Sequence, residues 1–150
     1  MSMYIKEKTV QEILDVRTTV DLLEEAMKSL STGKGFNSPR NRLPTSYSGG
    51  NLHFMAASWP EKGIAGHKSY VVTKGIATFV VILYSTEGKG LLAIIEANLL
   101  GQIRTGAASG LASKYLANNR KYQITIGDNY FRGQKDHYLT ELIKKNNINI

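Results

Sequence analysis

The apolar residues Val20, Leu23, Met27 and Leu30 recur at three- and four-residue intervals, the stripe of an amphipathic helix. The pattern predicts a start at Thr18 or Thr19 and an end at Gly33 and Gly35. A shorter helix is expected upstream, where Thr9-Val-Gln-Glu12 has capping-box spacing. From Phe36 to Gly50 the chain carries two prolines and a Gly-Gly pair, which reads as an extended strand followed by a turn. The period then shortens. Asn51 to Ser58, Ser69 to Thr73, Ile76 to Ser85 and Leu91 to Ala97 are short segments, several rich in β-branched or aromatic residues. They are predicted as strands of a mostly antiparallel sheet, with Glu87-Gly88-Lys89-Gly90 as a hairpin turn. From Leu99 to Ala117 helical spacing returns through Leu99, Ile103, Ala107, Leu111 and Tyr115. Gly101, Gly106 and Gly110 lie inside that helix, each at a cost of about 1 kcal/mol relative to alanine, so a close approach of another backbone or a ligand is expected there. A strand over Tyr122–Gly127 and a helix over Lys135–Asn146 complete the prediction.

Composition narrows the class. At 150 residues, 42% hydrophobic and 21% charged, the chain is one globular domain with a core of its own. No apolar run approaches the roughly 20 residues that cross a bilayer, and the N-terminus lacks the features of a secretion signal. No membrane association is expected. With no cysteine there are neither disulfides nor thiolate metal sites, and no metal centre is expected, so a cytoplasmic location is the default. The formal charge of +7 raises the question of nucleic acid. The basic residues are scattered without interleaved aromatics, so nucleic acid is not expected as a partner. A solvated basic face or a site for small carboxylates accounts for the excess.

Candidate chemistry centres on Gln102-Ile-Arg-Thr-Gly-Ala-Ala-Ser-Gly-Leu-Ala-Ser-Lys-Tyr-Leu-Ala117. Arg104 and Thr105 near the start of a helix of small residues would seat an anion on helix N–H groups and a guanidinium fork. A tightly packed helix whose Arg104 pairs with a surface carboxylate is the other reading.

This stretch resembles the ornithine cyclodeaminase/mu-crystallin family, in which an Arg-Thr helix of small residues follows the last strand of the first domain. Other segments resemble the family in the same order. They are Pro39-Arg-Asn-Arg-Leu-Pro44, Leu52-His-Phe-Met-Ala-Ala57 (with Ala56 where the family usually has proline), Gly66-His-Lys68, Lys74-Gly-Ile-Ala-Thr78 and Gly90-Leu-Leu-Ala-Ile-Ile-Glu-Ala-Asn98. The likeness covers roughly the first 127 residues. It implies that Arg40, Lys68 and Arg104 surround the carboxylate of a small amino or imino acid, with Lys68 also catalytic. Thr78, Arg104 and Thr105 would approach a nicotinamide dinucleotide, NAD or NADP. His53 falls where ornithine-specific relatives place a glutamate, so a distal ammonium would lose its counter-charge and ornithine becomes a poorer substrate. A half-buried structural histidine, a plain strand threonine at Thr78, and solvated edge charges at Arg40 and Lys68 are the alternatives. Strand register is expected to decide whether Arg40 or Arg42 points inward, and alignment favours Arg40.

The expected architecture is α+β, with N-terminal helices packed on a mostly antiparallel sheet and a long helix leading to a truncated Rossmann start. Residues 1–127 form a substrate-binding and dimerisation domain, and 128–150 a divergent tail. Gly127-Asp-Asn-Tyr-Phe-Arg-Gly133 is not a dinucleotide-binding glycine fingerprint. The expectation is therefore a truncated family member, from a frameshift or a split gene, that binds a small carboxylate, binds no cofactor alone and is inactive alone. A homodimer is expected. A two-chain enzyme with a separate dinucleotide-binding subunit, or a non-enzymatic ligand- or protein-binding module, are the rival readings.

Overall fold

A computed structural model describes residues 2–46, 50–73 and 75–116. The expected strand over Tyr122–Gly127, the helix over Lys135–Asn146 and the boundary at residue 127 lie outside the described residues. The chain divides into two compact units: one of Met1–Ile13 with Glu25–Gly101, and one of Leu14–Glu24 with the chain from Gln102 onward.

The first unit is built on a seven-stranded mixed sheet. Its strands are β1 (Met3–Ile5), β2 (Phe36–Asn37), β3 (Asn41–Pro44), β4 (Asn51–Trp59), β5 (Ile64–Thr73), β6 (Ile76–Ser85) and β7 (Leu91–Glu96). The order is β1-β7-β6-β5-β4-β2, with β3 also on the edge of β4. From β4 to β7 the chain is an antiparallel meander, as alternation and turn glycines predict. The turns close on left-handed glycines: Gly63 after the single 3-10 turn Pro60–Lys62, Gly75 between β5 and β6, and Gly88 and Gly90 between β6 and β7.

The parallel pairing of β1 with β7 was not anticipated. β1 is too short to show alternation. On the opposite edge, β2 and β3 meet the two halves of β4, Phe36 opposite Ser58 and Asn41 opposite Phe54. Pro39 interrupts them. Ser38 bridges the break by donating its N–H to Ala56 O (2.8 Å) and accepting the Ala56 N–H on Oγ (3.0 Å). Pro39 thus occupies an edge, where its missing donor breaks no central ladder bond.

Three helices are described: α1 (Glu7–Ile13), α2 (Val16–Ser31) and α3 (Asn98–Leu116). α1 lies against β7 and buries Val10. α2 begins earlier than the apolar stripe suggested, because Asp15 accepts the Thr18 N–H (2.7 Å) and so caps it. The helix ends at Ser31, and Gly33, with a φ of 73°, turns the chain out of the helical path. Its C-terminal half is tied to the turn after β4 by the Lys62–Glu25 ion pair at 2.7 Å. α3 buries Ile103, Ala107, Gly110 and Leu111, the stripe read from the sequence plus one glycine. None of the described helices is long and apolar enough to cross a membrane.

Candidate functional site

Ladder register decides which side chains share a face, because directly opposed residues point to the same side and neighbours alternate. Arg42 is opposite His53, His53 opposite Tyr70, and Tyr70 opposite Phe79. One row therefore crosses four strands on one face. In the next row Met55, Lys68 and Val81 are opposed, which puts Lys68 on the same face. The rings bear this out. His53 stacks on Tyr70 with centroids 4.5 Å apart and planes 9° from parallel, and Tyr70 meets Phe79 at 4.6 Å. The Lys68 ammonium lies over both, 5.7 Å from the Tyr70 centroid and 5.5 Å from that of Phe79. At these distances the ring quadrupoles attract the cation.

Tyr70 is buried and forms the floor of this row. Arg40 and Arg42 are exposed at its rim. The ladder pairs Arg42 with His53, while Arg40 precedes β3 and takes no part in it, so register does not choose between the two arginines. The charges of both reach His53. Burial holds the His53 imidazole below its ordinary pKa, and the charges of Arg42 and then Arg40 lower it further. His53 is therefore biased toward its neutral form. Its Nδ1 is buried and lacks a hydrogen-bond partner among the described residues.

Thr78 is placed elsewhere. It is opposite Val71, and Val71 is opposite Leu52, a row on the other face of the sheet from Lys68 and His53. Arg104 and Thr105 belong to the second unit, on α3. The expectation that they sit among free N–H groups at a helix start is also corrected. α3 begins at Asn98, so Arg104 and Thr105 lie toward the end of its second turn. There Thr105 O accepts the Ser109 hydroxyl (3.2 Å). A methyl on Gly101 or Gly106 meets nothing within 4 Å among the described residues.

Sequence reasoning missed three residues that shape this region. Tyr70 and Phe79 make the aromatic floor, and the alternation Lys68, Tyr70 was the available signal. Glu7 is the third. Its carboxylate accepts the N–H groups of Asn98 (3.3 Å) and Leu99, at the start of α3. Glu96 in turn accepts the Glu7 N–H (2.7 Å) at the start of α1, and Asp15 caps α2. Each described helix N-terminus thus already carries a carboxylate. A dinucleotide pyrophosphate needs a cradle of free backbone N–H groups, so the described residues do not fit that group. They also gather no cluster of three or more His, Asp or Glu side chains to hold a metal.

Several solved structures share this architecture. An archaeal alanine dehydrogenase dimer with bound NAD superposes with a TM-score of 0.80 and 25% identity, over 96% of this chain and 45% of its own. A crystal structure of a probable ornithine cyclodeaminase from Bordetella pertussis gives 0.73 and 28%, over 80% of this chain and 38% of the other. In sequence, an alanine dehydrogenase from Archaeoglobus fulgidus is 31% identical over 134 residues, 84% of this chain and 39% of the relative. The chain thus spans about two fifths of the length of the relatives it matches. The relatives named are a dehydrogenase and a probable cyclodeaminase. The model of the Ornithine cyclodeaminase/mu-crystallin family matches residues 2–127, and the chain belongs to that family.

Proposed function

We propose that this chain supplies the substrate-holding part of an NAD(P)-dependent amino- or imino-acid oxidoreductase, gripping a small carboxylate on the Lys68 face of the sheet. One observation carries the reading. Residues far apart in sequence, Arg42, His53 and Lys68, share one face of the sheet by register above the buried Tyr70 ring, and the charge of Arg40 also reaches His53. Cations from separate strands over apolar rings suit a small anion, because the rings exclude water and strengthen the attraction.

In this reading Lys68 Nζ binds the substrate carboxylate or donates a proton beside it, and Arg40 adds a second charge from the rim. For Arg104 and Thr105 as substrate- and cofactor-contacting residues, and for Thr78 as a cofactor contact, the support is family likeness alone. A bound nicotinamide supplies hydride exchange at the substrate α-carbon. No described residue forms its pyrophosphate cradle, so no step is derived through it here. The dinucleotide would come from sequence outside the described residues or from a separate chain.

We also propose a homodimer formed through the other face of the sheet. That face presents Leu43, Phe54, Ile76 and Tyr84, each at least 40% exposed, beside Val71, Val80 and Ile82. An open apolar surface of this kind is normally covered by a partner, and the archaeal alanine dehydrogenase neighbour is a dimer.

Titration calorimetry tests the carboxylate site. Pyruvate and L-alanine should give saturable heats with the chain, and Lys68→Met should abolish them while leaving the circular dichroism spectrum unchanged. Absence of binding by the unaltered chain, with and without NADH or NADPH present, overturns the proposal.

A further inference from the structure

We propose that His67 makes the homodimer pH-sensitive: once protonated, it loosens the pairing of two copies through the reverse face of the sheet. This rests on the dimer reading above and goes further by assigning the regulation of that interface to one residue, which the Lys68 site does not use.

Register puts His67 on the face opposite Lys68, in a row with Ala56, Ile82 and Ile94. That row crosses the middle of the face. β5 is the fourth of six strands in the sheet order, and His67 is the fourth of its ten residues. Its neighbours along β5 on this side are the small residues Ala65 and Ser69, so the imidazole rises above them. It is half-buried, and its ring stacks loosely on Tyr84, with centroids 6.2 Å apart and planes 24° from parallel. Among the described strand residues, the other titratable groups on this face are Tyr84, Tyr4 and Glu96. Glu96 is two strands and two residues from His67, about 12 Å between Cα atoms by ladder spacing. It already accepts the Tyr4 hydroxyl and the Glu7 N–H. The 3-10 turn also packs against β5, with Glu61 paired to Lys34 and Lys62 to Glu25. None of these carboxylates is placed to neutralise an imidazolium at His67.

At about 4.8 Å between strands and about 3.3 Å per residue, the face measures roughly 700 Å², near the ~800 Å² per partner of a stable interface. Two copies of one chain that meet through the same face are related by a two-fold axis. The middle of the patch lies nearest that axis, so each His67 enters the centre of the interface and approaches its counterpart. A neutral imidazole beside Tyr84, Ala56 and Ile82 suits such a surface. An imidazolium does not: it would lose its water, gain no carboxylate and stand near a like charge. Only the dimer bears these costs, because solvent still reaches the ring in a monomer. Proton binding and pairing therefore oppose each other. Histidine changes charge between about pH 5 and pH 8, so the dimer is favoured above that window and weakened below it.

Sedimentation equilibrium between pH 8 and about pH 5.5 tests this on the intact chain. The dimer dissociation constant should rise at least about tenfold over that span and recover when the sample is returned to pH 8. His67→Gln should remain dimeric with a nearly constant dissociation constant, and His67→Lys should be monomeric already at pH 8. Circular dichroism at each pH follows folding, and the His67→Gln chain keeps every other titrating group, so general acid destabilisation cannot produce this pattern. A dissociation constant that ignores pH, one that changes equally in His67→Gln, or a folded His67→Lys dimer at pH 8 overturns the inference and leaves the dimer standing. A monomer at every pH overturns both.

Discussion

Glu7 and Glu96 cap each other's neighbouring helices. The Glu96 carboxylate accepts the Glu7 N–H at 2.7 Å and the Tyr4 hydroxyl at 2.8 Å. The Glu7 carboxylate accepts the first N–H groups of α3, two residues beyond Glu96. Negative charge is thereby placed on the positive ends of two helices, and the parallel strand β1 is pinned where the chain turns into α1.

Removal of Glu7 tests this arrangement. Glu7→Ala should cost about 1 kcal/mol of unfolding free energy, the usual worth of a lost helix cap, seen as a lower urea midpoint with an unchanged slope. An unchanged midpoint would show that the α3 amides are as well served by water.

Glu96 gives the pH dependence. The Glu7 N–H, then the Tyr4 hydroxyl, hold its carboxyl below the ordinary carboxylate range. A folded pKa below the unfolded one means that the stability it contributes is present above about pH 4.5. That stability is lost as pH falls through the folded value. Thermal melts between pH 7 and pH 3 should therefore decline less steeply for Glu96→Gln than for the unaltered chain, and parallel curves would contradict the capping role.

His53 titrates in a different window with the same sign. Its folded pKa is lowered, chiefly by burial and secondarily by Arg42 and Arg40. Protons therefore bind the unfolded chain first, and stability falls as pH drops from about 6.5 toward the folded value. Arg42→Gln should move the His53 pKa, followed by NMR, only part of the way back, because burial remains. A full return to the ordinary value would show that the guanidiniums, not desolvation, set it.

Much of the fold was legible because it is local. The stripe Val20, Leu23, Met27, Leu30 and the alternating segments from Asn51 to Ala97 each carry their own period, and the hairpin glycines mark where it breaks. What was not legible depends on partners distant in the chain. β1 is three residues that become a strand only beside β7, and the cap of α1 comes from Glu96, 89 residues on. The expected Thr9–Glu12 capping box failed for that reason: a tertiary carboxylate starts the helix earlier, at Glu7. In the site, family likeness pointed to Arg40, His53 and Lys68, but residue type alone could not reveal register. Only register shows that Arg42 faces His53 and that Thr78 lies on the reverse of the sheet.

The glycines separate close packing from mere sequence habit. A methyl on Gly66 would stand 2.6 Å from the Ile82 carbonyl oxygen, a backbone atom that cannot step aside. Gly66→Ala should therefore cost about 1–3 kcal/mol. Gly101→Ala and Gly106→Ala should each stabilise by up to about 1 kcal/mol, because the methyl meets none of the described residues while helix propensity improves. Urea unfolding of the three variants decides the matter, and a stabilised Gly66 variant would refute the tight β5–β6 approach.

Dimerisation through the reverse face predicts an outcome opposite to ordinary surface mutation. Phe54 is 40% exposed in the row opposite Ser69 and Val80, one strand in from the β3 edge. Placing a charge there should cost an isolated monomer little, since the side chain already reaches solvent. In a dimer the same charge would be buried without a partner, which is strongly unfavourable. Light scattering at micromolar concentration should therefore give a dimeric mass for the unaltered chain and a monomeric mass for Phe54→Lys, with both retaining the same circular dichroism spectrum. A monomeric mass for the unaltered chain, or a Phe54→Lys dimer, would mean that this apolar face is not the surface through which two copies meet.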